Sequence, residues 1–251
     1  MHYTYYGANS WLLELGGYRV LVDPWLVGSL VFGNAPWFFK GDRHQPIDSL
    51  PENIDLILLS QGLPDHAHPP TLEKLDRQIP VIASPSAAKL VKSLGYSHIT
   101  TLAPGETTEF ANTLHIQALS GAPIGLQVEN GYLLTETTRP LRLYYEPHGF
   151  PPSTLHTIDP VDVVISPVMN LGLPVVGPII KGNDTALPLA QQLSPKLFLS
   201  TAVGGDVVYT GILDQFLQTA GTIEAFQAAV SQQNLPTQVI DPLPYQRCRA
   251  V

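Results

Sequence analysis

The sequence predicts an α/β protein in which two α/β halves flank a central antiparallel block. Three observations carry this. The N-terminal third is a series of short β-rich runs. Apolar strands then alternate with helices that have recognisable start and stop residues. Between Gly105 and Glu146, strand-like runs follow one another with only turn residues between them. No linker, repeat or low-complexity segment divides the chain, so residues 1–251 read as one domain.

The elements follow in order. "YTYY", "WLLEL" and "YRVLVD" are the first strands, with Gly16–Gly17 as a hairpin turn. Asp23 closes the third run ahead of Pro24, which places its carboxylate at a strand end. Residues 27–54 read as a long loop containing Trp37, Phe38 and Phe39, with Trp25 just before it. A loop of that length shapes either a pocket or an interface, so the aromatic residues fit a lid over substrate or a homo-oligomer contact. "IDLILLS" is apolar throughout, as a buried strand is. "PPTLEKLDR" is a short helix opened by proline, and "PVIAS" is the next strand. A second helix has Ser84 as N-cap, Pro85 in its first turn, a stripe of Ala87, Leu90 and Leu94, and Gly95 as its stop. "HITTL" follows. The antiparallel block holds "TTEF", "TLHIQALS", "GLQVEN", "YLLTE" and "PLRLYYE", with Asn130–Gly131 predicted as a hairpin turn. "VDVVISP" and "KLFLS" return to buried strands. Between them a helix near 185–194 is expected to start at Asp184 or Thr185, because Pro188 fits only a first turn. A last helix carries Ile223, Phe226 and Val230 on one face.

Composition excludes several classes. An apolar fraction of 44% supplies a sizeable core, and the 24 prolines and 20 glycines are scattered singly among apolar runs, which argues against disorder. A formal charge of −8 with no Lys/Arg cluster excludes a general binder of nucleic acid or anionic membrane. Cys248 is the only cysteine, so an internal disulfide and a cysteine-held metal are both excluded. The first residues lack a basic, apolar leader, and the longest apolar stretch, "VDVVISPVMNLGLPVVGPII", is broken by three prolines, an aspartate and an asparagine. The expectation is a cytoplasmic protein that acts on a small molecule.

Two segments could carry chemistry. "SQGLPDHAHPP" (60–70) follows a buried strand and places Asp65, His66 and His68 within four positions. A carboxylate and an imidazole on one tight loop can face one ion, supplying a hard oxygen and a borderline nitrogen. Equally, Asp65 could cap the next helix while His66 bonds backbone. "LYYEPHGF" (143–150) places Glu146 and His148 beyond another apolar strand. Each is weak alone; together they set a carboxylate and an imidazole past two strand ends, the convergence a ligand set requires. His2, His44, His98, His115 and His156 lack such surroundings. "TAVGGDV" (201–207) lacks the Gly-Lys-Ser/Thr ending of a phosphate loop, and no Gly-x-Ser-x-Gly elbow or dinucleotide fingerprint occurs.

The opening "YYGANSWLLELGGYRVLVDPWL", the strand into "SQGLPDH", and "VDVVISPV" after "LYYEPHG" resemble the metallo-β-lactamase superfamily, in the branch of metal-dependent hydrolases related to the L-ascorbate phosphate lactonases. The resemblance runs in order over nearly the whole chain. It implies a four-layer αββα sandwich, two mixed sheets flanked by helices, with the site along one edge. The family loop reads His-x-His-x-Asp-His. Here Gln61 and Leu63 stand where its first two histidines belong, and Asp65 and His66 match the last two. The next family ligand would follow "ALSGAPIG", where there is no histidine. The bridging aspartate falls on "YYEPHG", where Glu146 or His148 stands, and the last histidine falls on Ser200, Thr201 and Ala202.

The resemblance therefore implies at most one metal, zinc or another divalent transition ion, held by Asp65, His66 and His148. Glu146 is the candidate general base, and Gln61, Leu63, His68, Asp23 and Thr201 line the pocket. The activity implied is hydrolysis of a small ester, lactone or phosphate. Two alternatives stay open. One is a metal-free, catalytically inactive member that binds a small molecule or a protein. The other is a metal-independent enzyme using His66, His68, Glu146 and His148 for acid–base work.

Overall fold

A computed structural model describes residues 1–47, 49–174, 177–202 and 207–250. The strands up to residue 59 are His2–Gly7 (β1), Ser10–Leu15 (β2), Tyr18–Val22 (β3), Leu30–Val31 (β4), Lys40–Arg43 (β5) and Leu56–Leu59 (β6). Then come Pro69–Lys74 (α1), Val81–Ala83 (β7), Pro85–Ser93 (α2), Ile99–Thr101 (β8), Thr107–Phe110 (β9), Leu114–Ile124 (β10), Gln127–Glu136 (β11) and Leu141–Tyr145 (β12). The remainder holds Val163–Ser166 (β13), Asn170–Leu173 (β14), Gly177–Lys181 (β15), Gly182–Leu193 (α3) and Leu197–Ser200 (β16). Val207–Thr210 (β17), Gln218–Ala220 (β18), Ile223–Gln232 (α4), Gln238–Ile240 (β19) and Arg247–Arg249 (β20) complete the chain. Among the described residues no helix is long and apolar enough to cross a membrane.

The chain is α/β with two seven-stranded mixed sheets, and it forms two compact units. The first unit takes Met1–Leu102, Gly204–Leu217 and Leu243–Arg249. Its large sheet runs β20-β1-β2-β3-β6-β7-β8, antiparallel through β3 and parallel from β3 to β8. All four residues of β6 are buried, as its unbroken apolar run requires. Leu12, Leu21, Ile57, Leu59, Val81 and Ala83 present one face to Leu72 of α1 and to Ala87, Ala88 and Val91 of α2. The predicted cap of α2 is present, with Ser84 Oγ accepting from Ala87 N at 3.4 Å. Leu90 and Leu94 are only partly buried, so the buried stripe is shifted from the expected one.

The second unit takes Ala103–Val203, Gln218–Pro242 and the last two residues. Its large sheet runs β19-β16-β13-β12-β11-β10-β9, antiparallel from β9 to β12 and parallel beyond. Leu133, Tyr144, Val164, Phe198 and Val239 pack against α3 and α4, where the Phe198 and Phe226 rings meet edge to face at 4.8 Å.

Three local expectations are corrected. Residues 27–54 include β4 and β5, and β5 pairs with β17 more than 160 positions later. The Lys-Gly-Asp-Arg run of β5 has no intrinsic strand preference, so a distant partner imposes its conformation. Asn130–Gly131 is strand, not turn: the hairpin turns at Gly125–Leu126, between the paired Ile124 and Gln127. Gly131 serves close approach, since a Cβ there would lie 3.1 Å from Glu146 Cγ. The third helix starts at Gly182, so Pro188 lies inside it. Both Pro188 and Asp184 are exposed, so water can take the carbonyl hydrogen bond that proline cannot make.

Candidate functional site

In the first unit, parallel strands β3 and β6 end side by side, and the loops leaving them carry Asp23 and Ser60. Asp23 N donates to Leu58 O at 3.0 Å, and its backbone is left-handed at φ 42°. That bend sets the buried carboxylate across the end of β6. Its Oδ1 accepts from Ser60 N at 2.7 Å and its Oδ2 from Ser60 Oγ at 2.5 Å. The same Oδ2 takes the Nδ1 proton of His66 at 2.7 Å.

Residues 61–67 are held by backbone. Leu63 O accepts from both His66 N (3.0 Å) and Ala67 N (2.8 Å), a tight turn that presents Asp65 and His66 together. Gly62 N donates to Ser86 Oγ at 2.9 Å, and a Cβ on Gly62 would lie 2.9 Å from the Ser86 carbonyl carbon. Glycine is therefore required where the loop crosses the start of α2.

His66 is fully buried and its two nitrogens have different surroundings. Nδ1 meets Asp23, while Nε2 lies 3.1 Å from Asp65 Oδ2 and 3.3 Å from Asn9 Nδ2. Burial by itself would lower the pKa of His66; the Asp65 and Asp23 carboxylates outweigh it and raise the pKa to about 10. The Asp23 contact holds a proton on Nδ1, so an ion would bind at Nε2, in exchange for the second proton that the raised pKa keeps there in the metal-free protein. Two ligands at zinc bond lengths and a tetrahedral angle sit about 3.3 Å apart. The Nε2–Oδ2 separation of 3.1 Å is close to that, so these two atoms fit a shared cation.

His68 is placed elsewhere. It is the N-cap residue of α1, yet its ring caps no helix amide. Its Nδ1 lies 3.0 Å from Thr71 Oγ1 and its Nε2 3.2 Å from Ser29 O, and Thr71 Oγ1 in turn accepts from Leu26 N at 2.9 Å. Burial pushes its pKa down to about 4. A neutral imidazole that receives the Thr71 proton and donates to Ser29 completes this chain. Gln61 is buried and Leu63 half-buried, and neither residue type offers a zinc donor of the usual kind.

In the second unit, Glu146 and His148 follow β12. Glu146 is fully buried, and its carboxylate accepts from His148 N at 3.2 Å and from Phe150 N at 2.7 Å. His148 O accepts from Lys181 N at 2.8 Å, and Thr185 Oγ1 donates to Gly149 O at 3.2 Å. A Cβ on Gly149 would lie 2.7 Å from the Lys181 carbonyl carbon, and its φ is +74°. The loop bearing His148 is thus fixed on both sides, with His148 itself buried. Thr201 is buried just past β16. Of the "TAVGGDV" segment, residues 203–206 lie outside the described residues.

A family profile described as the Beta-lactamase superfamily domain matches residues 2–202. The chain belongs to the beta-lactamase superfamily. Solved structures agree on the fold of this superfamily member. It shares 15% identity with isothiocyanate hydrolase from Delia radicum gut bacteria, at a TM-score of 0.70 over 99% of this chain and 98% of that one. A possible metal-dependent hydrolase from Veillonella parvula superimposes with a TM-score of 0.72 at 13% identity, over 100% and 99% of the two chains. The metallo-beta-lactamase fold protein YhfI from Bacillus subtilis gives 0.59 at 16% identity, over 96% of each. No curated protein matches the chain.

Ser60 and Asn9 are site residues that the sequence candidates lack. Ser60 ends the apolar run of β6 and could have been singled out by that position. Asn9 carries no local signal.

Proposed function

We propose that this superfamily member is a hydrolase of small esters, lactones or phosphates that uses one divalent metal ion, held by Asp65, His66 and His148, the set that the family resemblance implies. The observation that carries the reading is the carboxylate–histidine pair: Asp23 fixes the Nδ1 proton of His66 at 2.7 Å and leaves Nε2 beside Asp65. Such outer partners orient metal-bound histidines and raise their basicity. When bound, the ion would supply Lewis acidity and a water acidified towards about pH 7. Asp23 and Ser60 orient His66, and the Leu63 turn sets Asp65 against it. Glu146 acts through His148: its carboxylate accepts from two backbone amides, which favours a positioning role over the general-base role expected from sequence.

A second reading, a catalytically inactive binding module, is favoured by Gln61 and Leu63, which remove the ligands of the family's other metal position. Native mass spectrometry of protein purified without chelator separates the two. The hydrolase reading expects one zinc per chain, lost in Asp65→Ala, His66→Ala and His148→Ala, together with hydrolysis of 4-nitrophenyl acetate. Protein that neither retains nor takes up zinc supports the binding module.

A further inference from the structure

We propose that Trp37, Phe38, Ile212 and Phe216 form the centre of a contact between two copies of this chain. The proposal goes beyond the hydrolase reading and does not depend on a metal.

The four residues belong to two adjoining segments of the first unit. Ala35 N donates to Phe32 O at 3.2 Å and Phe38 N to Ala35 O at 2.9 Å, which folds the first segment into successive turns. Ile212 N donates to Trp37 O at 3.2 Å and Leu213 N to Phe38 O at 2.9 Å, which joins the second segment to it. Gly211 permits the junction: its φ is +117°, and a Cβ there would lie 2.6 Å from Phe38 O. The chain continues into a 3-10 turn, Leu213–Phe216, whose first and last side chains lie on one side. The Trp37 and Phe38 rings meet edge to face at 5.9 Å. Phe39 anchors them, since its ring lies 5.7 Å from Phe32 and stacks on Tyr209 of β17 at 5.3 Å. The surface is therefore held in place before a partner arrives, which lowers the cost of binding.

Trp37 is 67% exposed, Phe38 40%, Ile212 49% and Phe216 55%. At about 150–250 Å² for each aromatic side chain, the four leave roughly 400 Å² of apolar surface in water. Homodimer interfaces are about 65% apolar, so this patch suits the core of one burying roughly 600 Å² per partner, the lower end of specific interfaces. Charge decides for a second copy. The chain carries a formal −8, so two copies repel unless they meet where charge is absent. Across residues 32–39 and 207–217 the only charged side chain is Asp214. A basic partner would call for carboxylates here. A twofold contact needs no other complement, because each copy offers the same rings to the other.

Sedimentation velocity of the full chain, at up to about 100 µM, tests the proposal at the weak end of interface affinities. A reversible monomer–dimer equilibrium is expected. Iodide quenching adds a local reading, because Trp11 and Trp25 are buried and Trp37 is the only exposed tryptophan. Quenching should weaken as protein concentration rises. Trp37→Asp and Phe216→Asp should each weaken dimerisation by at least about 30-fold, with melting temperature unchanged in dilute solution. Leu126→Asp, at a fully exposed residue of the second unit, should dimerise as wild type does. Wild type that stays monomeric throughout overturns the proposal, and so does a dimer that both patch variants leave intact. Monomer that instead sediments with phosphatidylcholine vesicles assigns the patch to a membrane surface and overturns it too.

Discussion

His66 Nδ1 donates to Asp23 Oδ2 across 2.7 Å, with both side chains fully buried and 43 positions apart in sequence. The contact joins the ends of two neighbouring parallel strands, and it determines which imidazole nitrogen faces Asp65. Asp23→Asn keeps the shape but removes the charge and offers an NH2 group where Ser60 and His66 both need an acceptor. Zinc affinity should fall about 10- to 100-fold, measured by competition with a chromogenic chelator. The metal-free protein should lose about 2–3 kcal/mol in urea unfolding. Unchanged affinity would remove Asp23 from the site.

Metal stoichiometry separates the two family positions. No more than one zinc ion per chain should be retained in native mass spectrometry, and His98→Ala should retain as much as wild type. Two tightly held ions would contradict the assignment of Gln61 and Leu63 as replacements for lost ligands.

His68→Ala tests whether the third histidine of the loop is structural. The variant leaves Ser29 O and Thr71 Oγ1 without their buried partner, and a loss of about 2–3 kcal/mol is expected in chemical denaturation. Zinc content should stay at the wild-type value. Loss of metal without loss of stability would instead place His68 among the ligands.

Glu146→Gln should show the same pattern as a positioning residue. The amide can accept from only one of the two backbone donors, His148 N and Phe150 N, and about 1–3 kcal/mol of stability should be lost. Residual activity should keep the wild-type pH profile. Disappearance of its acidic limb would restore Glu146 as the general base.

Tyr96 gives a pH dependence of known sign. Its hydroxyl donates to Leu72 O at 2.8 Å, tying the residue after α2 to α1, and burial raises its pKa to about 12. Above pH 10 the unfolded chain gives up this proton while the folded chain keeps it. Stability should therefore fall between about pH 10 and 12, by at most about 3 kcal/mol from this group. Tyr96→Phe should flatten that part of the stability curve by its share while lowering stability at pH 7 by about 1 kcal/mol. An unchanged slope in the variant would show that other groups carry it.

Residue periodicity and turn chemistry determined the class of the fold. The unbroken apolar run of β6, the Ser84–Pro85 helix start and the strand-rich block between Gly105 and Glu146 are local patterns found where expected, although the turn expected at Asn130–Gly131 is not. The same locality placed Asp65 and His66 on a loop after a buried strand, because a strand that ends in small and polar residues releases its loop at a sheet edge.

Tertiary structure decided what local pattern could not. Asn130–Gly131 has turn chemistry, yet pairing with Leu119 and Ser120 of β10 holds it extended, and the missing side chain is used by Glu146. The Lys-Gly-Asp-Arg run becomes a strand only because residues 207–210 pair with it, and that pairing brings Tyr209 onto Trp25. Asp65 and His66 were legible as donor types. Which nitrogen of His66 carries the proton depends on Asp23, far away in the chain and adjacent only once β3 and β6 lie side by side. Hydrogen-bond partners at strand ends are set by sheet order, and sheet order is a property of the whole packed chain.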